Sequence, residues 1–265
     1  MRADYEHLLV QQDGAVLTVT MNRPEVLNAI NDSLLDGLGE VMEEAARDES
    51  VRCVVLTGAG RAFGAGADLR GFAAGHASGE PIKVSGHLQK YHRVVRAIRT
   101  MSKPVIAAVR GVAAGASCNL ALACDLRIVS EDARFIEAFA RIGLVPDAGG
   151  GFFLPRLVGF GKALELAMLA DEISGPEAER LGLANKCVSP SEFDGAVSNL
   201  AQRLAKGPTR AYGLIKELMN QAVIGDLETT LRLEGEIQDI AINTADHREG
   251  VAAFMQKRPA EFTGR

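Results

Sequence analysis

Two glycine-rich segments and one acidic turn are the parts of this 265-residue chain able to do chemistry. In Gly111-Val-Ala-Ala-Gly-Ala-Ser-Cys-Asn119 the small residues Gly115, Ala116 and Ser117 open a helical pattern. The first N–H groups of a helix have no partner inside it, and such an end attracts negative charge. Thr57-Gly-Ala-Gly-Arg-Ala-Phe-Gly-Ala-Gly-Ala-Asp68 offers a second stretch of main chain that a ligand can approach closely. A carbonyl oxygen at the helix end, met by a second N–H from this loop, would sit in an oxyanion hole, each donor worth about 2.7–4 kcal/mol to an enolate. The same glycines and alanines also suit plain tight packing of helix on strand, and on these segments alone both readings stand. Asp147, in Ile142-Gly-Leu-Val-Pro-Asp-Ala-Gly-Gly150, precedes a helical pattern and by type and place alone reads as an N-cap.

A rival chemistry has to be weighed. Thr57-Gly58-Ala59 through Gly64 resembles the phosphate turn of short-chain dehydrogenases, and Tyr212-Gly-Leu-Ile-Lys216 with Ser198 upstream resembles their Tyr-x-x-x-Lys site. That reading needs a nicotinamide cofactor. Against it, Ala62 stands where the middle glycine belongs, the turn follows the third strand instead of the first, and Ser198 falls inside a helical pattern. Tyr212 and Lys216 read instead as one turn of a surface helix. His7, His76, His87, His92 and His247 lack paired ligand spacing, so no metal site is expected. Cys53, Cys118, Cys124 and Cys187 show no Cys-x-x-Cys spacing, which fits a reducing compartment. The polar stretch 75–86 reads as a mobile loop over a pocket.

Loops of this kind must be held by strands. Asp13-Gly14 reads as a hairpin turn between strands at 7–12 and 15–21. Leu34, Leu35, Leu38, Val41, Met42 and Ala45 then recur at helical spacing before a β-branched run at 51–57. A helix at 84–101, a strand at 105–109, a helix at 115–124 and a strand at 126–129 repeat the unit, which predicts an α/β fold with crossover connections. Beyond about residue 190 no strand pattern survives, and 193–204, 209–222, 227–242 and 247–256 are all helical. The chain is therefore expected to divide into a strand-bearing core, 1–190, and a helical region, 191–265. With 47% apolar and 24% charged residues it is not a disordered chain. A net charge of −5 leaves no excess of cations for a phosphate backbone, so no nucleic-acid partner is expected. No window approaches a membrane span and residues 1–7 carry no apolar signal core, so no membrane partner and a cytoplasmic location are expected.

Five spaced segments then agree with one family. Asn22-Arg-Pro-Glu-Val-Leu-Asn28, Ala62-Phe-Gly-Ala-Gly-Ala-Asp68, Lys103-Pro-Val-Ile-Ala-Ala-Val-Arg-Gly111, Leu122-Ala-Cys-Asp125 and Glu249-Gly-Val-Ala-Ala-Phe-Met-Gln-Lys-Arg258 together resemble the enoyl-CoA hydratase/isomerase (crotonase) superfamily, nearly end to end and in order. The resemblance implies a crotonase-like spiral of ββα units with a helical C-terminal trimerisation region, assembled as a homotrimer or a dimer of trimers. It implies an acyl-CoA thioester as ligand, coenzyme A being part of the substrate and no other cofactor being needed. The oxyanion donors would be the N–H groups of Ala67 and Ala116. The loop at Val26, Ala65, Asp68 and Leu69 would receive the adenosine and pantetheine, with Phe254 and Lys257 near the nucleotide end.

Hydratases of that family add water with two glutamates, and here those positions hold Asn119 and Phe139, an amide and an apolar ring unable to exchange a proton near neutrality. Straightforward hydration is disfavoured, as is the single-glutamate isomerase whose base would stand at Phe139. Gly115–Ala121, Phe135–Phe139, Val145–Gly150 and Leu154–Gly159 are similar to the ring-1,2-epoxyphenylacetyl-CoA isomerase branch, which implies Asp147 as the proton carrier. An enolate in the oxyanion hole makes the α-proton of a thioester removable. One carboxylate can then return it to the γ-carbon, or help rearrange an epoxide to an oxepin. Asn119, Phe139 and Leu144 would line the acyl site. A helix N-terminus would lower the pKa of Asp147, and an apolar pocket of Phe139 and Leu144 would raise it. Glu137 is expected to be turned away by strand alternation. The expected activity is that of an acyl-CoA isomerase, with an enoyl-CoA hydratase of broad specificity or a non-catalytic CoA-binding protein as alternatives on the same fold.

Overall fold

The computed structural model describes residues 5–70 and 83–265. Strands β1 (Leu8–Asp13) and β2 (Val16–Met21) pair antiparallel around Gly14, as the Asp13-Gly14 turn requires. From β2 the sheet grows in parallel through β3 (Cys53–Gly58), β5 (Val105–Val109), β7 (Leu126–Ser130) and β10 (Lys186–Val188). Between β2 and β3 runs α1 (Asp32–Arg47), between β3 and β5 α2 (Ser85–Thr100), and between β5 and β7 α3 (Ala116–Ala123). Asn31 caps α1 by accepting a hydrogen bond from the N–H of Leu34 at 3.0 Å. The apolar stripe of that helix, Leu34, Leu35, Leu38, Val41 and Met42, is buried throughout.

All five residues of β5 are buried, because both faces of the sheet are covered. On the second face Cys53, Val55, Ile106, Ala108 and Ile128 pack against Phe193, Ala201 and Ala205 of α7 (Phe193–Ala205). The helix just past residue 190 thus shares the packing of this sheet. Helices α4 (Gly150–Val158), α5 (Phe160–Leu169) and α6 (Gly175–Leu181) precede β10. The chain finishes with α8 (Thr209–Ala222), α9 (Leu227–Ile242) and α10 (Ala245–Gln256).

A second, smaller sheet carries the loops of interest. Its strands are β4 (Ala62–Gly64), β6 (Val112–Ala114), β8 (Arg134–Ile136) and β9 (Ile173–Ser174), in the order β4-β6-β8-β9, with only the last pair antiparallel. Three times the chain leaves a long strand of the first sheet, turns, and enters a short strand of the second, giving the repeating ββα rhythm of the crotonase spiral. Strands of two or three residues are too short to show a period of two, so the sequence pattern predicted the long strands and not these.

Among the described residues no helix is long and apolar enough to cross a membrane, and no group of histidine, cysteine and acidic residues is arranged to hold a metal. The loop expected at 75–86, including His76, falls outside the described residues up to position 82. Lys216 departs from its expected place on a surface helix. Its ammonium is buried and donates to Asp125 at 2.7 Å and to the Ile98 carbonyl. A cation taken from water needs such a partner, so Lys216 is committed to the core and does not form a Tyr-Lys catalytic pair.

Candidate active site

The ends of β4 and β6 bring the two glycine segments side by side. A Cβ built on Gly66 would lie 3.0 Å from the Ala114 carbonyl oxygen and 3.7 Å from the nitrogen of Ala116. With its φ of +92° as well, Gly66 is a place only glycine fits. The Ser117 hydroxyl accepts the Gly66 N–H at 3.1 Å. Ile30 donates to the Gly66 carbonyl at 2.8 Å and accepts from the Asp68 N–H at 2.9 Å. This parallel bridge, Ile30 against Ala67, turns the Ala67 N–H away from Ile30. Ala116 is the first residue of α3, where a helix leaves its N–H groups without partners. Among the described residues neither the Ala67 nor the Ala116 N–H has an acceptor.

Buried side chains fix this loop. Asn28 is fully buried; its Oδ1 accepts from the Arg23 N–H at 2.9 Å, and its Nδ2 donates to the carbonyls of Ala59 at 2.9 Å and Ala62 at 2.8 Å. Arg23, also buried, reaches the Ala29 carbonyl and Asp68, the latter at 3.2 Å. Arg70 pairs with the same carboxylate, and these two guanidiniums hold Asp68 far below the usual carboxylate range, Arg70 contributing most. Asp68 therefore fastens the loop through both guanidiniums. Val26 and Ala65 are half-buried beside it and Leu69 is exposed.

The acid–base groups meet across α3. Asn119 is fully buried, and its Nδ2 donates to the main-chain carbonyl of Asp147 at 2.9 Å. A Cβ on Gly150 would stand 2.2 Å from that nitrogen, so glycine at 150 lets the turn close onto Asn119. The expected N-cap role of Asp147 is not realised. Helix α4 begins at Gly150 with Gly149 as its N-cap, and the Asp147 Oδ1 is buried with no hydrogen-bond partner. Of the two influences on its pKa, burial prevails, and the carboxyl is pushed up to about 6. Phe139 is buried and reaches within 3.8 Å of a Cβ built on Gly115, whereas Leu144 is half exposed.

Glu137 also departs from expectation. Strand β8 ends at Ile136, and Glu137 begins a 3-10 turn with φ −78° and ψ 67°, so alternation no longer applies to it. Its side chain turns inward, 2% exposed, with the Cys118 Sγ at 3.6 Å and the Asn119 Nδ2 at 3.5 Å. Burial, reinforced by the charge of Asp147, pushes its carboxyl up to about 7 against the pull of those two weak donors. The signal that could have found it is its single-residue distance from β8 in a segment with no other acid between Arg134 and Val145.

Phe254 and Lys257 are not brought to this cluster. Both stand exposed near the end of α10, a helix whose Glu249 and Gly250 engage the C-terminal tail at Glu261 and Phe262.

A pair of free main-chain donors beside a desolvated acid is the arrangement the five sequence segments pointed to, and the enoyl-CoA hydratase/isomerase family model matches residues 11–265. The chain belongs to the enoyl-CoA hydratase/isomerase family. It is 40% identical to the 1,2-epoxyphenylacetyl-CoA isomerase of Escherichia coli K12 over 98% of this chain and 99% of that one. It is 36% identical to the short-chain-enoyl-CoA hydratase of Clostridium acetobutylicum over 97% and 98% of the two chains. Among solved structures, an enoyl-CoA hydratase from Polaromonas sp. JS666 superposes with a TM-score of 0.91 at 33% identity, covering 96% of this chain and 99% of that one. Membership in the enoyl-CoA hydratase/isomerase family makes acyl-CoA thioesters the ligand class and removes the hydride-transfer reading.

Proposed function

We propose that the chain is an acyl-CoA isomerase, acting on 2-(1,2-epoxy-1,2-dihydrophenyl)acetyl-CoA or a related enoyl-CoA. The Ala67 and Ala116 N–H groups receive the thioester oxygen. As the α-proton leaves, charge develops on that oxygen, where two preorganised donors act most strongly. Asp147 takes the proton and returns it to another carbon. The observation that carries this reading is the half-buried Asp147 carboxyl, whose Oδ1 is sealed from solvent without a hydrogen-bond partner among the described residues and which is pushed up to about 6, a base poised close to neutrality. By the family resemblance Asn119 and Phe139 take the places of the two hydratase glutamates, and the E. coli isomerase is a full-length relative.

Replacing Asp147 with Asn keeps the shape and removes the base. Isomerisation of enoyl-CoA substrates is expected to fall by about 10²–10⁴-fold, and in the parent kcat/KM should decline below about pH 6, where the carboxyl is protonated. A variant as active as the parent on every thioester would remove Asp147 from the mechanism. A hydratase is the second reading, supported by the Clostridium relative. Exposed apolar residues such as Phe160, Met168, Leu227 and Phe254 support assembly into a homotrimer or dimer of trimers, with 191–265 as the assembling region.

A further inference from the structure

Glu137 is a buried acid with no step in the proposed reaction. It is 2% exposed and stands two residues before Phe139, outside both places that the family resemblance gives to the hydratase glutamates. Its carboxyl oxygens face the first turn of α3, Oε1 at 3.6 Å from the Cys118 Sγ and Oε2 at 3.5 Å from the Asn119 Nδ2. That same Nδ2 donates to the main-chain carbonyl of Asp147 at 2.9 Å. An amide nitrogen carries two hydrogens, so Asn119 has one for the Asp147 turn and one for Glu137. Two acceptors on one side also fix which way the amide points, because Oδ1 turned toward them would be repelled. Oδ1 is left buried and without a partner among the described residues.

The charge on Glu137 matters because of where α3 begins. Ala116 is the first residue of that helix, and Cys118 and Asn119 complete its first turn. A carboxylate at Glu137 would stand beside the positive helix end that Ala116 offers to the thioester oxygen, and would draw on the potential that an enolate needs. A protonated Glu137 leaves that potential to the enolate and still accepts from the Asn119 amide. Among the groups on neighbouring elements, burial holds the Cys118 thiol of α3 and the Tyr91 phenol of α2 above their ordinary values. The guanidiniums of Arg127, Arg134 and Arg141 donate to the main-chain carbonyls of Cys124, Ala133 and Ala170. Asp147 remains, and burial, then the Asp147 charge, favour the proton on Glu137.

We propose that Glu137 is a positioning residue that works in its protonated form: it steadies the Asn119 amide against the turn carrying Asp147, and it leaves the N-terminal end of α3 to the thioester oxygen. This rests on Asp147 and the Ala67–Ala116 donors acting as stated under the proposed function.

The test uses the full chain and follows exchange of the α-proton of butyryl-CoA in D₂O by mass spectrometry, from about pH 5 to about pH 9. The parent should show an acid limb from Asp147 and an alkaline limb from Glu137, with kcat/KM falling about tenfold or more between about pH 7 and pH 9. Glu137→Gln is neutral at every pH and can still accept from Asn119, so it should lose the alkaline limb and keep the acid one. Glu137→Leu removes the acceptor, and its kcat should fall about tenfold below that of Glu137→Gln, with KM changed less than about twofold. A parent without an alkaline limb, or a limb that persists in Glu137→Gln, overturns the inference and leaves the isomerase reading intact. So does a Glu137→Leu variant that matches Glu137→Gln in kcat; if Glu137→Leu does not fold, the Glu137→Gln profile decides alone. Exchange that is absent in the parent, or undiminished in Asp147→Asn, refutes the proposed function and this inference with it.

Discussion

Replacing Glu137 with Gln should make the protein more stable at alkaline pH and leave it nearly unchanged in acid. The carboxyl has an ordinary value of 4.5 and is carried to about 7 in the folded chain, chiefly by burial. Between those values the folded chain keeps a proton that the unfolded chain has released, so stability falls as pH rises through this window. Above it the ionised group costs roughly 3 kcal/mol relative to acid conditions. Gln carries no proton to lose, so this term vanishes in the variant. Urea unfolding followed by circular dichroism at pH 5 and pH 8, at one protein concentration, measures it. The stability difference between variant and parent should grow in the variant's favour by up to about 3 kcal/mol between the two conditions. A difference that is the same at both pH values would show that Glu137 is not desolvated and would refute the geometry assigned to the turn after β8.

Gly150→Ala places a methyl 2.2 Å from the Asn119 Nδ2; overpacking of this kind costs about 1–3 kcal/mol, and thermal unfolding together with activity should both decline. Ser117→Ala leaves the buried Gly66 N–H without its acceptor, about 1–3 kcal/mol. Because that loop carries Ala67, kcat should fall more than KM changes in steady-state assays; an effect confined to thermal unfolding would separate Ser117 from the oxyanion geometry.

The first sheet was readable because its strands are long and its helices amphipathic. Val105–Val109, Thr209–Ala222 and Leu227–Ile242 fall where the periodicity puts them, since burial of one continuous face leaves its mark on every turn. The second sheet escaped because its two- and three-residue strands are defined by pairing partners far away in sequence. The same limit explains the acids. Glu137 was judged by an alternation that ends one residue before it, and Asp147 by a helix start that falls at Gly150. Lys216 was misplaced because its partner, Asp125, lies 91 positions away. What the motifs did carry was the pairing of two bare main-chain stretches, as no side chain is needed to make them.

The frame of the Ala67 and Ala116 amides is tied by Asn28, Ser117 and the Arg23–Asp68 pair, whereas Glu137 and Asp147 hang from a separate stretch between β8 and α4. This division of labour lets the acid–base set be exchanged without disturbing the amides. The two carboxyls can thereby be altered one at a time by substitution while the pair of amides keeps its place.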